Sequence, residues 1–285
     1  MITAATTLAA VIGHPVRHSL SPVLHQAGFA SLAVDWAYAA FDVAPGHADR
    51  ALVAMDTLSI GGLSVTMPHK TQIAQCVGRL DPAAAALSSA NTVSRDVDGT
   101  LVGHSTDGDG LVAALAAEGV TVTGVECCVV GAGGAGRSII DALARHGAAG
   151  IAVINRDQQR AEEAARLGRG NAWVAESPSQ AVRQAELVIN ATSVGMEGGD
   201  TALLPVDAVD LRPGQIVVDI VYQPRQTALL RAAEAAGARP IDGLGMLVHQ
   251  AALQQQIWLG ALPDVRAMRA AAEEELARRA NNPAG

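Results

Sequence analysis

A glycine-rich segment in the middle of the chain limits the folds that this sequence can adopt. The letters GAGGAG place glycines at positions 131, 133 and 136. The apolar run ECCVV precedes them, and an amphipathic stretch followed by the run IAVIN comes after them. Strand, glycine turn, helix and strand in this length make one βαβ unit with a dinucleotide-binding loop. The segment therefore predicts a Rossmann-type domain built on a parallel sheet.

The three glycines have separate expected tasks in such a loop. Gly131 allows the tight turn after the strand, Gly133 lets the backbone approach a pyrophosphate, and Gly136 lets helix and strand pack closely. Free N–H groups at the start of the helix supply positive potential for the phosphates. A glycine-rich turn without a ligand is the alternative that the motif alone leaves open.

The end of the second strand indicates which dinucleotide the loop accepts. Domains that bind NAD carry Asp or Glu there for the ribose hydroxyls, whereas this chain has Asn155 and Arg156, followed by Arg160. Guanidinium groups grip phosphate with two hydrogen bonds, so we expect NADP, whose ribose carries a 2′-phosphate. Asp157 argues against NADP, because its carboxylate would repel that phosphate. The alternative is that both arginines form the charged face of the next helix.

The rest of the chain alternates short apolar runs with helical stretches. AAVIG, WAYAAFDV and GGLSVTM predict strands before the glycine loop, and AELVINAT and QIVVDIV predict strands after it. Strands that alternate with helices indicate a parallel sheet covered on both faces. From residue 243 the pattern is helical. We expect Ser21 to be the N-cap of a first helix and Asp98-Gly99 to form a type I′ hairpin turn.

Composition excludes several classes of protein. The 285 residues are 49% hydrophobic and 17% charged with 29 glycines, too apolar for a disordered chain and too rich in glycine for a coiled coil. The net charge is −8 and aromatic residues make up 2%, so we expect no nucleic acid partner. No apolar run reaches the length of a membrane span, and the first residues lack the features of a signal peptide. We therefore expect a cytoplasmic protein.

Cysteine and histidine do not indicate a metal centre. Cys127 and Cys128 are adjacent in an apolar run, which predicts core positions, and with Cys76 they form no CxxC pair. Three histidines crowd the N-terminal region without a carboxylate or cysteine ligand set, so we expect structural roles for them. They are His14, His18 and His25.

Eight short motifs, in order along nearly the whole chain, carry a family resemblance. They are GHPVRHSLSPVLHQ, GGLSVTMPHK, ANTV, GHSTDGDG, GAGGA with the later NR, NATSVGM, VVDIVYQPRQTALL and GLGMLVHQAA. With this set of motifs the sequence resembles the shikimate dehydrogenase family. One motif alone is modest support, whereas all of them in the right order are strong support.

The resemblance implies a two-domain α/β enzyme with a cleft between its domains. Residues 1–106, completed by the C-terminal helices 244–285, would form the substrate-binding catalytic domain, and residues 107–243 the Rossmann-type NADP-binding domain. The implied reaction is the reversible reduction of 3-dehydroshikimate to shikimate with NADPH, a step of aromatic amino acid biosynthesis. The partner is thus a small-molecule substrate. The sequence does not fix the oligomeric state, and a homodimer stays open.

The resemblance also implies roles for individual residues. Lys70 would be catalytic, with Asp107 as its carboxylate partner. The carboxylate and hydroxyls of the substrate would be held by Ser19, Ser21, Thr66, Asn91, Asp107, Tyr222 and Gln250. NADP would be held by Gly131, Ala132, Gly133, Gly134, Ala135, Asn155, Arg156 and Arg160, with Ile220 and Gly243 near the nicotinamide.

Physical chemistry supports a lysine in that role, although an isolated lysine is most often a surface residue. Reduction of a ketone builds negative charge on its oxygen, and a positioned ammonium stabilises that charge and delivers the proton. Asp107 would orient the amine or accept a hydrogen bond from a substrate hydroxyl. A cluster of neutral hydroxyl and amide groups suits a polyhydroxylated acid, because each substrate hydroxyl then finds a partner.

Three positions depart from the family pattern. Ser64 and Ser105 stand where the family usually has Asn, and Asp157 replaces a small hydroxyl residue of the 2′-phosphate loop. The first two lie close in sequence to Thr66 and Asp107, so the exact substrate stays open, with quinate or aminoshikimate as alternatives. A non-catalytic regulator that binds NADP or shikimate is a further alternative. A two-domain dehydrogenase of folate one-carbon units is another, which the hydroxyl-rich HSxSP segment disfavours.

Overall fold

The computed structural model describes residues 2–281, so Met1 and residues 282–285, the end of the predicted C-terminal segment, lie outside the described range. By its internal contacts the chain forms two compact units. One contains the residues up to Thr106 together with those from Val248 onward, and the other contains Asp107–Leu247. Each unit has its own six-stranded sheet.

Strands and helices alternate along the chain in both units. Up to residue 106 the elements are β1 (Thr7–Gly13), α1 (Ser21–Ser31), β2 (Trp36–Asp42), α2 (Ala48–Thr57), β3 (Gly62–Val65), α3 (Lys70–Cys76), β4 (Arg79–Leu80), α4 (Pro82–Leu87), β5 (Thr92–Arg95) and β6 (Leu101–His104). The second unit contains α5 (Asp107–Ala117), β7 (Glu126–Val130), α6 (Gly134–Arg145), β8 (Gly150–Ile154), α7 (Gln158–Ala165), β9 (Ala172–Val174), α8 (Pro178–Gln184), β10 (Leu187–Asn190), β11 (Ile216–Asp219), α9 (Ala228–Ala235) and β12 (Arg239–Ile241), with 3₁₀ turns at Arg166–Gly168 and Ala208–Asp210. The last helices are α10 (Leu244–Leu259) and α11 (Val265–Asn281).

The first sheet is mixed, with strand order β2-β1-β3-β5-β6-β4. β1 pairs in parallel with both β2 and β3, β5 runs antiparallel to β3 and β6, and β4 is parallel to β6. Because β5 runs opposite to its neighbours, it starts at the edge where β1, β3 and β6 end. The loops at this edge carry most of the residues that the family resemblance assigns to the substrate.

The second sheet is parallel throughout, with strand order β12-β11-β10-β7-β8-β9. From β7 the chain builds outward through β8 and β9, then returns to the other side of β7 for the remaining strands. The order therefore reverses between β7 and β10, which is the switch point where sheets of this kind bind their ligand. The predicted α/β class with a Rossmann-type unit is confirmed.

Each sheet packs against helices through its own apolar core. In the first unit the core includes Ile12, Met55, Leu63, Ile73 and Val93. In the second unit it includes Val129, Ile139, Leu143, Ile151 and Leu187. Cys127 and Cys128 are 2% and 0% exposed, so their predicted core positions are confirmed. Burial raises the pKa of both thiols to about 12, which keeps them protonated and unreactive.

Four helices begin at the short polar residues that favour helix starts. A side-chain oxygen at the N-cap accepts a hydrogen bond from a backbone N–H of the first turn, which fills one donor that the helix itself leaves unpaired. The N-caps of α4, α7, α8 and α9 are Asp81, Asp157, Ser177 and Thr227. Proline follows in the first turn of α4 and α8, where its fixed φ suits a helix start.

Two local predictions were wrong in detail. Ser21 is not the N-cap of α1, because Leu20 occupies that place and Ser21 is already helical. The hairpin between β5 and β6 is present, but its turn is not of type I′. That type needs a positive φ at both central residues, and in the Asp98-Gly99 pair Gly99 alone has one, at +86°. Gly99 N–H instead donates to the Asp96 carbonyl oxygen at 3.0 Å.

The described residues contain no membrane-spanning helix and no metal-ligand cluster. Between residues 2 and 281 no helix is long and apolar enough to cross a bilayer. In the same range no three His, Cys, Asp or Glu side chains group as metal ligands would. Two of the N-terminal histidines make protein contacts, His14 with Asp42 at 2.6 Å and His25 with Gln254 at 3.1 Å.

Candidate active site

Lys70 lies five residues after the end of β3, at the edge of the first sheet where β1, β3 and β6 end. It is half-buried and is the first residue of α3. A cation at a helix N-terminus meets the positive end of the helix dipole, so this position does not favour the helix. The Lys70 carbonyl oxygen accepts a hydrogen bond from Ala90 N–H at 3.0 Å, which ties the lysine backbone to the residue before Asn91. The lysine is therefore anchored among other candidate residues.

Asn91 connects the start of β5 to the chain beyond β6. It is 3% exposed, and its Nδ2 donates to Thr106 Oγ1 at 2.9 Å. Its Oδ1 accepts from the Thr106 backbone N–H, also at 2.9 Å. These bonds fix the last residue before Asp107. Asn91 is thus more than the turn residue that its position in sequence would suggest.

Gln250, a candidate on α10, is 9% exposed. Its Oε1 accepts a hydrogen bond from Nε2 of Gln254, about one turn further along the helix, at 3.1 Å. The same Nε2 donates to the Asn91 carbonyl oxygen at 3.2 Å. Gln254 thus joins the candidate on the helix to the candidate beside the sheet.

A chain of hydroxyl groups runs from Gln254 to the start of α1. Ser64 Oγ donates to Gln254 Oε1 and accepts from the Tyr38 hydroxyl, with both distances 2.6 Å. Burial raises the pKa of Tyr38 far above its ordinary range, so the phenol keeps its proton and can donate to Ser64. The side chain of Ser21 also lies near the Tyr38 hydroxyl and opposes the rise of its pKa. Ser21 is therefore connected to Gln254 through two hydroxyl groups.

The loop that carries Ser19 is tied to the last helix. Arg279 on α11 donates to the carbonyl oxygens of His18 at 2.8 Å and Ser19 at 3.4 Å. Glu275 Oε1 accepts from Arg279 Nε at 2.7 Å. Hydrogen bonds from Arg278 and Arg279 lower the pKa of Glu275 to about 2. Glu275 thus stays charged and holds the arginine that holds the loop.

Thr66 directly follows β3 and continues its pairing with β1. Its backbone N–H donates to the Ile12 carbonyl oxygen at 2.9 Å, and its own carbonyl oxygen accepts from His69 N–H at 3.0 Å. The side chain is half-buried. These bonds place Thr66 between the end of β1 and the turn that leads to Lys70.

In the glycine loop of the second unit, two glycines are required by the protein itself. Gly131 has a φ of +108°, which favours glycine. A Cβ at Gly136 would lie 1.9 Å from the Gly131 carbonyl oxygen, so no larger residue fits. Gly136 therefore lets α6 pack closely against Gly131, the residue that directly follows β7.

The other two glycines of the loop face open space. No protein atom lies within 4 Å of a Cβ built at Gly133 or Gly134, and Gly133 has an ordinary φ of −76°. The protein thus gives no reason for glycine at these positions. They stand at the N-terminus of α6, where unpaired N–H groups and the helix dipole favour an anion. The loop fits the pyrophosphate of a dinucleotide.

Asn155 links the glycine loop to the loop after β8. Its Oδ1 accepts from Ala132 N–H at 3.1 Å and its Nδ2 donates to the Asp157 carbonyl oxygen at 2.8 Å. Asp157 caps α7 by accepting from Arg160 N–H at 3.1 Å, and its carboxylate lies 3.5 Å from Arg160 Nε. Arg156 and Arg160 are exposed. Asp157 thus has a structural task, but it also competes for one predicted phosphate ligand.

Asp107 is the half-buried first residue of α5. A carboxylate there is favoured by the helix dipole, so helix stability alone would explain its presence. Gly108 N–H donates to Ser138 Oγ at 2.8 Å, and a Cβ at Gly108 would lie 2.1 Å from the Ser138 carbonyl oxygen. α5 therefore starts in close contact with α6, the helix that follows the glycine loop. Asp107 is held at a fixed place relative to that loop.

Tyr222 lies in the loop after β11, which a buried carboxylate holds in place. Asp219 accepts hydrogen bonds from Asn190 Nδ2 at 2.9 Å, Thr227 Oγ1 at 2.7 Å and Val221 N–H at 3.1 Å. Burial raises the pKa of this carboxyl, while the three donors oppose the shift. The carboxyl ends of β10 and β11 and the Tyr222 loop are thus connected.

The structure brings the two residues predicted near the nicotinamide into contact. A Cβ at Gly243 would lie 2.1 Å from the Ile220 carbonyl oxygen, so only glycine permits this approach. Gly243 N–H also donates to the Val221 carbonyl oxygen at 3.3 Å. The start of α10 is therefore packed against the end of β11.

A cavity of about 740 Å³ lies in the second unit beside the end of β8. One wall is Ile154, the residue before Asn155, and the others come from the start of α8 and from residues 204–210.

Comparison with known proteins identifies the family. Three family models match in chain order: shikimate dehydrogenase substrate binding domain over residues 11–93, shikimate / quinate 5-dehydrogenase over 114–226, and shikimate 5′-dehydrogenase C-terminal domain over 243–273. A shikimate dehydrogenase (NADP(+)) from Rubrobacter xylanophilus is 39% identical over 280 residues, which cover 96% of this chain and 98% of that protein. The chain belongs to the shikimate dehydrogenase family. The family membership predicted from the eight motifs is confirmed.

Other members of the shikimate dehydrogenase family give the same picture. The shikimate dehydrogenase (NADP(+)) of Thermococcus kodakarensis is 41% identical over 275 residues, covering 96% of this chain and 98% of that protein. A crystal structure of shikimate 5-dehydrogenase from Thermus thermophilus, in complex with NADP(H) and shikimate, superposes with a TM-score of 0.87 at 35% identity. That match covers 94% of this chain and 99% of the other.

Sequence reasoning missed Tyr38 and Gln254 in this member of the shikimate dehydrogenase family. Tyr38 is one of only two tyrosines in the chain, and the other is Tyr222. Gln254 follows Gln250 by four residues, a spacing that places both on one face of a helix. This spacing of two glutamines was the signal in the sequence that could have linked Gln254 to Gln250.

A second missed signal concerns Lys70 itself. It is the only lysine among the 20 Lys and Arg residues of the sequence, and the others are all arginines. A guanidinium stays charged at any working pH, whereas an amine can release a proton. A single lysine among arginines is the pattern expected where proton transfer matters and charge alone is not enough.

Substitution of the loop glycines by alanine separates ligand binding from folding. Gly136→Ala is expected to destabilise the protein by about 3 kcal/mol or more, because its Cβ would overlap a backbone oxygen. Gly133→Ala is expected to change the free energy of unfolding by at most about 1 kcal/mol, yet to weaken NADP+ roughly tenfold or more. Denaturant unfolding and calorimetric titration measure both. Unchanged NADP+ binding by Gly133→Ala would contradict the assignment of the loop.

The Glu275 pair gives a prediction for pH. Its folded-state pKa of about 2 lies below the ordinary value of 4.5, so its stabilising effect is complete above about pH 4.5 and is lost as the pH falls towards 2. The Tm of wild type should exceed that of Glu275→Gln by a constant amount above about pH 5, and the gap should shrink below it. Thermal unfolding across that range checks this. A gap that does not depend on pH would show that the carboxylate charge is not involved.

Proposed function

We propose that this protein is an NADP-dependent shikimate dehydrogenase, which reversibly reduces 3-dehydroshikimate to shikimate in aromatic amino acid biosynthesis. The observation that carries the proposal is the near-full-length similarity to relatives named shikimate dehydrogenase (NADP(+)). We further propose that the enzyme works in the cytoplasm without a nucleic acid partner. A homodimer is the assembly to test, by light scattering of the purified protein.

The two units divide the work between substrate and cofactor. We assign the substrate to the unit that contains the residues up to Thr106 and those from Val248 onward, because its sheet edge collects hydroxyl and amide groups. We assign NADP to the unit Asp107–Leu247, because the glycine loop stands at the switch point of its sheet. The fold of each unit supports its assignment.

We assign residues of this unit to three parts of NADP. Main-chain N–H groups from Gly131 to Ala135 would bind the pyrophosphate, and Asn155 would keep their loop in place. Arg156 and Arg160 would bind the 2′-phosphate, while Ile220 and Gly243 would line the nicotinamide side. The bound cofactor supplies the hydride, and the protein supplies orientation and the proton.

Lys70 is the proposed acid and base. During reduction the carbonyl carbon of the substrate takes the hydride and its oxygen takes a proton from the Lys70 ammonium. In the reverse direction the amine takes the proton back from the hydroxyl. Such proton transfer is typically worth about 10²–10⁴-fold in rate. Asp107 would be its carboxylate partner, and the bonds from Ala90 to Lys70 and from Thr106 to Asn91 hold the backbone around Lys70 within the first unit.

The substrate would be held mainly through neutral groups. Ser19 and Ser21 at the start of α1, Thr66 after β3 and Tyr222 after β11 offer hydroxyls, and Asn91 and Gln250 offer amides. Hydroxyl and amide groups can both donate and accept, which suits a ring that bears a carboxylate and several hydroxyls. A site built in this way rejects analogues that lack one hydroxyl.

A second candidate function is dehydrogenation of quinate or aminoshikimate by the same machinery. Ser64 and Ser105 shorten two side chains where the family usually has Asn, and both flank proposed substrate residues. One matching family model is itself named for shikimate and quinate. Turnover of the three acids, measured by absorbance of the reduced nicotinamide, separates the candidates. A non-catalytic regulator would turn over none of them.

Substitution of Lys70 tests its role. Lys70→Ala should lower kcat by about 10²–10⁴-fold with shikimate KM changed by less than about threefold. Lys70→Arg keeps the charge but cannot release a proton at working pH, so it should be almost as slow. Steady-state kinetics with shikimate and NADP+ provide both constants. Unchanged kcat in Lys70→Ala would refute the assignment.

The single lysine also permits a chemical test on the wild-type protein. An amine-specific acylating reagent can modify only Lys70 and the chain's amino terminus, because the sequence contains no other lysine. Inactivation should follow modification of Lys70, as located by peptide mass spectrometry, and shikimate should slow it. Full activity of a protein modified at Lys70 would count against the proton-transfer role.

The two arginines after β8 give a test of cofactor choice. Arg156→Ala with Arg160→Ala should weaken NADP+ by about tenfold or more and NAD+ by less than about threefold, because only NADP+ carries the 2′-phosphate. Asp157→Ser keeps a capping oxygen and removes the competing charge, so it should bind NADP+ more tightly. Arg166→Ala, an exposed arginine further along the same segment, is the matched control. An equal loss of affinity for NADP+ and NAD+ would contradict the binding of the 2′-phosphate by these arginines.

A further inference from the structure

Two adjacent glutamines are buried in α10. Gln254 and Gln255 are 2% and 0% exposed. A buried amide costs free energy unless it is hydrogen-bonded, so apolar residues would pack here at lower cost. Helix packing alone therefore does not account for glutamine at these positions. The contacts of the two amides are different, and the difference indicates a task for one of them.

The Gln254 amide fills all four of its hydrogen-bonding positions. Its Nε2 donates to the Asn91 carbonyl oxygen at 3.2 Å and to Gln250 Oε1 at 3.1 Å. Its Oε1 accepts from Ser64 Oγ at 2.6 Å and from His25 Nε2 at 3.1 Å. A side-chain amide has two donor hydrogens and two acceptor lone pairs, so no capacity remains.

The surroundings allow only one orientation of this amide. The Asn91 carbonyl oxygen that faces Nε2 belongs to the backbone and can only accept. Burial lowers the pKa of His25 to about 3, so the ring is neutral, and Gln255 Nε2 faces its Nδ1 at 3.2 Å. The ring hydrogen therefore sits on Nε2, where it points at Gln254 Oε1. A rotated amide would place oxygen against oxygen and nitrogen against donors.

This fixed amide sets the orientation of proposed substrate groups. Since Gln250 Oε1 is bound to Gln254 Nε2, the amide of Gln250 keeps its NH2 group on the other side as a donor. Through Ser64, the same Gln254 oxygen also orders the hydroxyl of Tyr38, which lies near Ser21. The family pattern usually has Asn at position 64, and here a serine hydroxyl is bonded to an amide from α10.

We propose that Gln254 is a positioning residue for the substrate, acting directly on Gln250 and Asn91 and, through Ser64 and Tyr38, on Ser21. This inference rests on the proposed function, because it concerns how the same acid is bound. Gln254 contributes to binding of the acid and takes no part in proton transfer. Its loss should therefore raise the KM for the acid and leave kcat and the KM for NADP+ nearly unchanged.

Gln255 provides a matched control on the next position of the helix. Its Nε2 donates to His25 Nδ1 and to the His25 carbonyl oxygen, at 3.2 and 3.0 Å. Its Oε1 has no hydrogen-bond partner among the residues that the structure describes. None of these contacts reaches a proposed substrate residue directly. Both glutamines are thus buried and bonded to His25, but only Gln254 extends to the substrate groups.

The experiment compares Gln254→Met with Gln255→Met in the full-length enzyme. Methionine keeps the length of the side chain and removes its hydrogen bonds. Kinetics with shikimate and NADP+ should show shikimate KM raised about tenfold in Gln254→Met, equivalent to about 1.4 kcal/mol. In Gln255→Met it should stay within about twofold of wild type, and kcat and NADP+ KM within about threefold in both. Thermal unfolding records the stability of each variant.

The possible outcomes separate failure of the positioning role from failure of the proposed function. Equal shikimate KM in the two variants, or parallel increases in both, would overturn the positioning role and leave Gln254 as a structural residue only. A wild-type enzyme that oxidises no shikimate would instead overturn the proposed function. If wild type prefers quinate or aminoshikimate, the same comparison with that acid decides the positioning role.

Tyr38→Phe keeps the test decisive if Gln254→Met does not fold. The variant removes one hydroxyl, while the ring can still stack on His25 at a centroid distance of 4.2 Å. We expect shikimate KM to rise about threefold or more with kcat nearly unchanged, because the hydroxyl near Ser21 is lost. Shikimate KM equal to that of wild type would overturn the branch of the proposal that reaches Ser21.

Discussion

Burying an amide costs free energy unless its hydrogen-bonding groups find partners, and in the first unit the fully paired amide of Gln254 ties together the elements at the edge where β1, β3 and β6 end. The four bonds of Gln254 reach the loop before β5, the end of β3, α1 and the preceding turn of α10. Three of these partners lie 163 to 229 residues from Gln254 in sequence, and a missing partner at any of them would leave a polar group buried without compensation. The hydrogen bonds that stabilise the buried Gln254 are therefore the same ones that position the proposed substrate-binding groups.

In the second unit the site depends on where the protein leaves space. Gly131 and Gly136 are glycines because of a left-handed turn and a backbone contact, so they would be needed with or without a ligand. Gly133 and Gly134 have no such reason, and the space beside them lies at a helix N-terminus that favours anions. Asn155 binds this loop to the next one, where the arginines are. Close packing behind the loop and open space in front of it together match the proposed binding of phosphate there.

Periodicity and one glycine motif were enough to predict the α/β class and the Rossmann-type unit, because both follow from local patterns. The site was harder, because its groups meet only in the folded chain. Sequence analysis gave no role to Tyr38 or Gln254, because their partners come from other strands and helices. Ser21 suited an N-cap by residue type, yet it is already helical and lies near the Tyr38 hydroxyl. The hairpin was predictable from Asp98-Gly99, but the turn type was not, since it depends on how the two strands twist.

The sequence contains one lysine and 19 arginines, and the two residue types suit different tasks, proton transfer and ion pairing. Ion pairs such as that of Arg145 with Asp109 and Asp141 use the planar guanidinium, which binds carboxylates through several donors and never loses its charge. Those properties make arginine a poor acid. Lys70 is the first residue of α3, where the positive end of the helix dipole does not favour a cation. Position 70 thus carries an amine where helix stability gives no reason for a cation, as expected if that amine exchanges a proton with substrate.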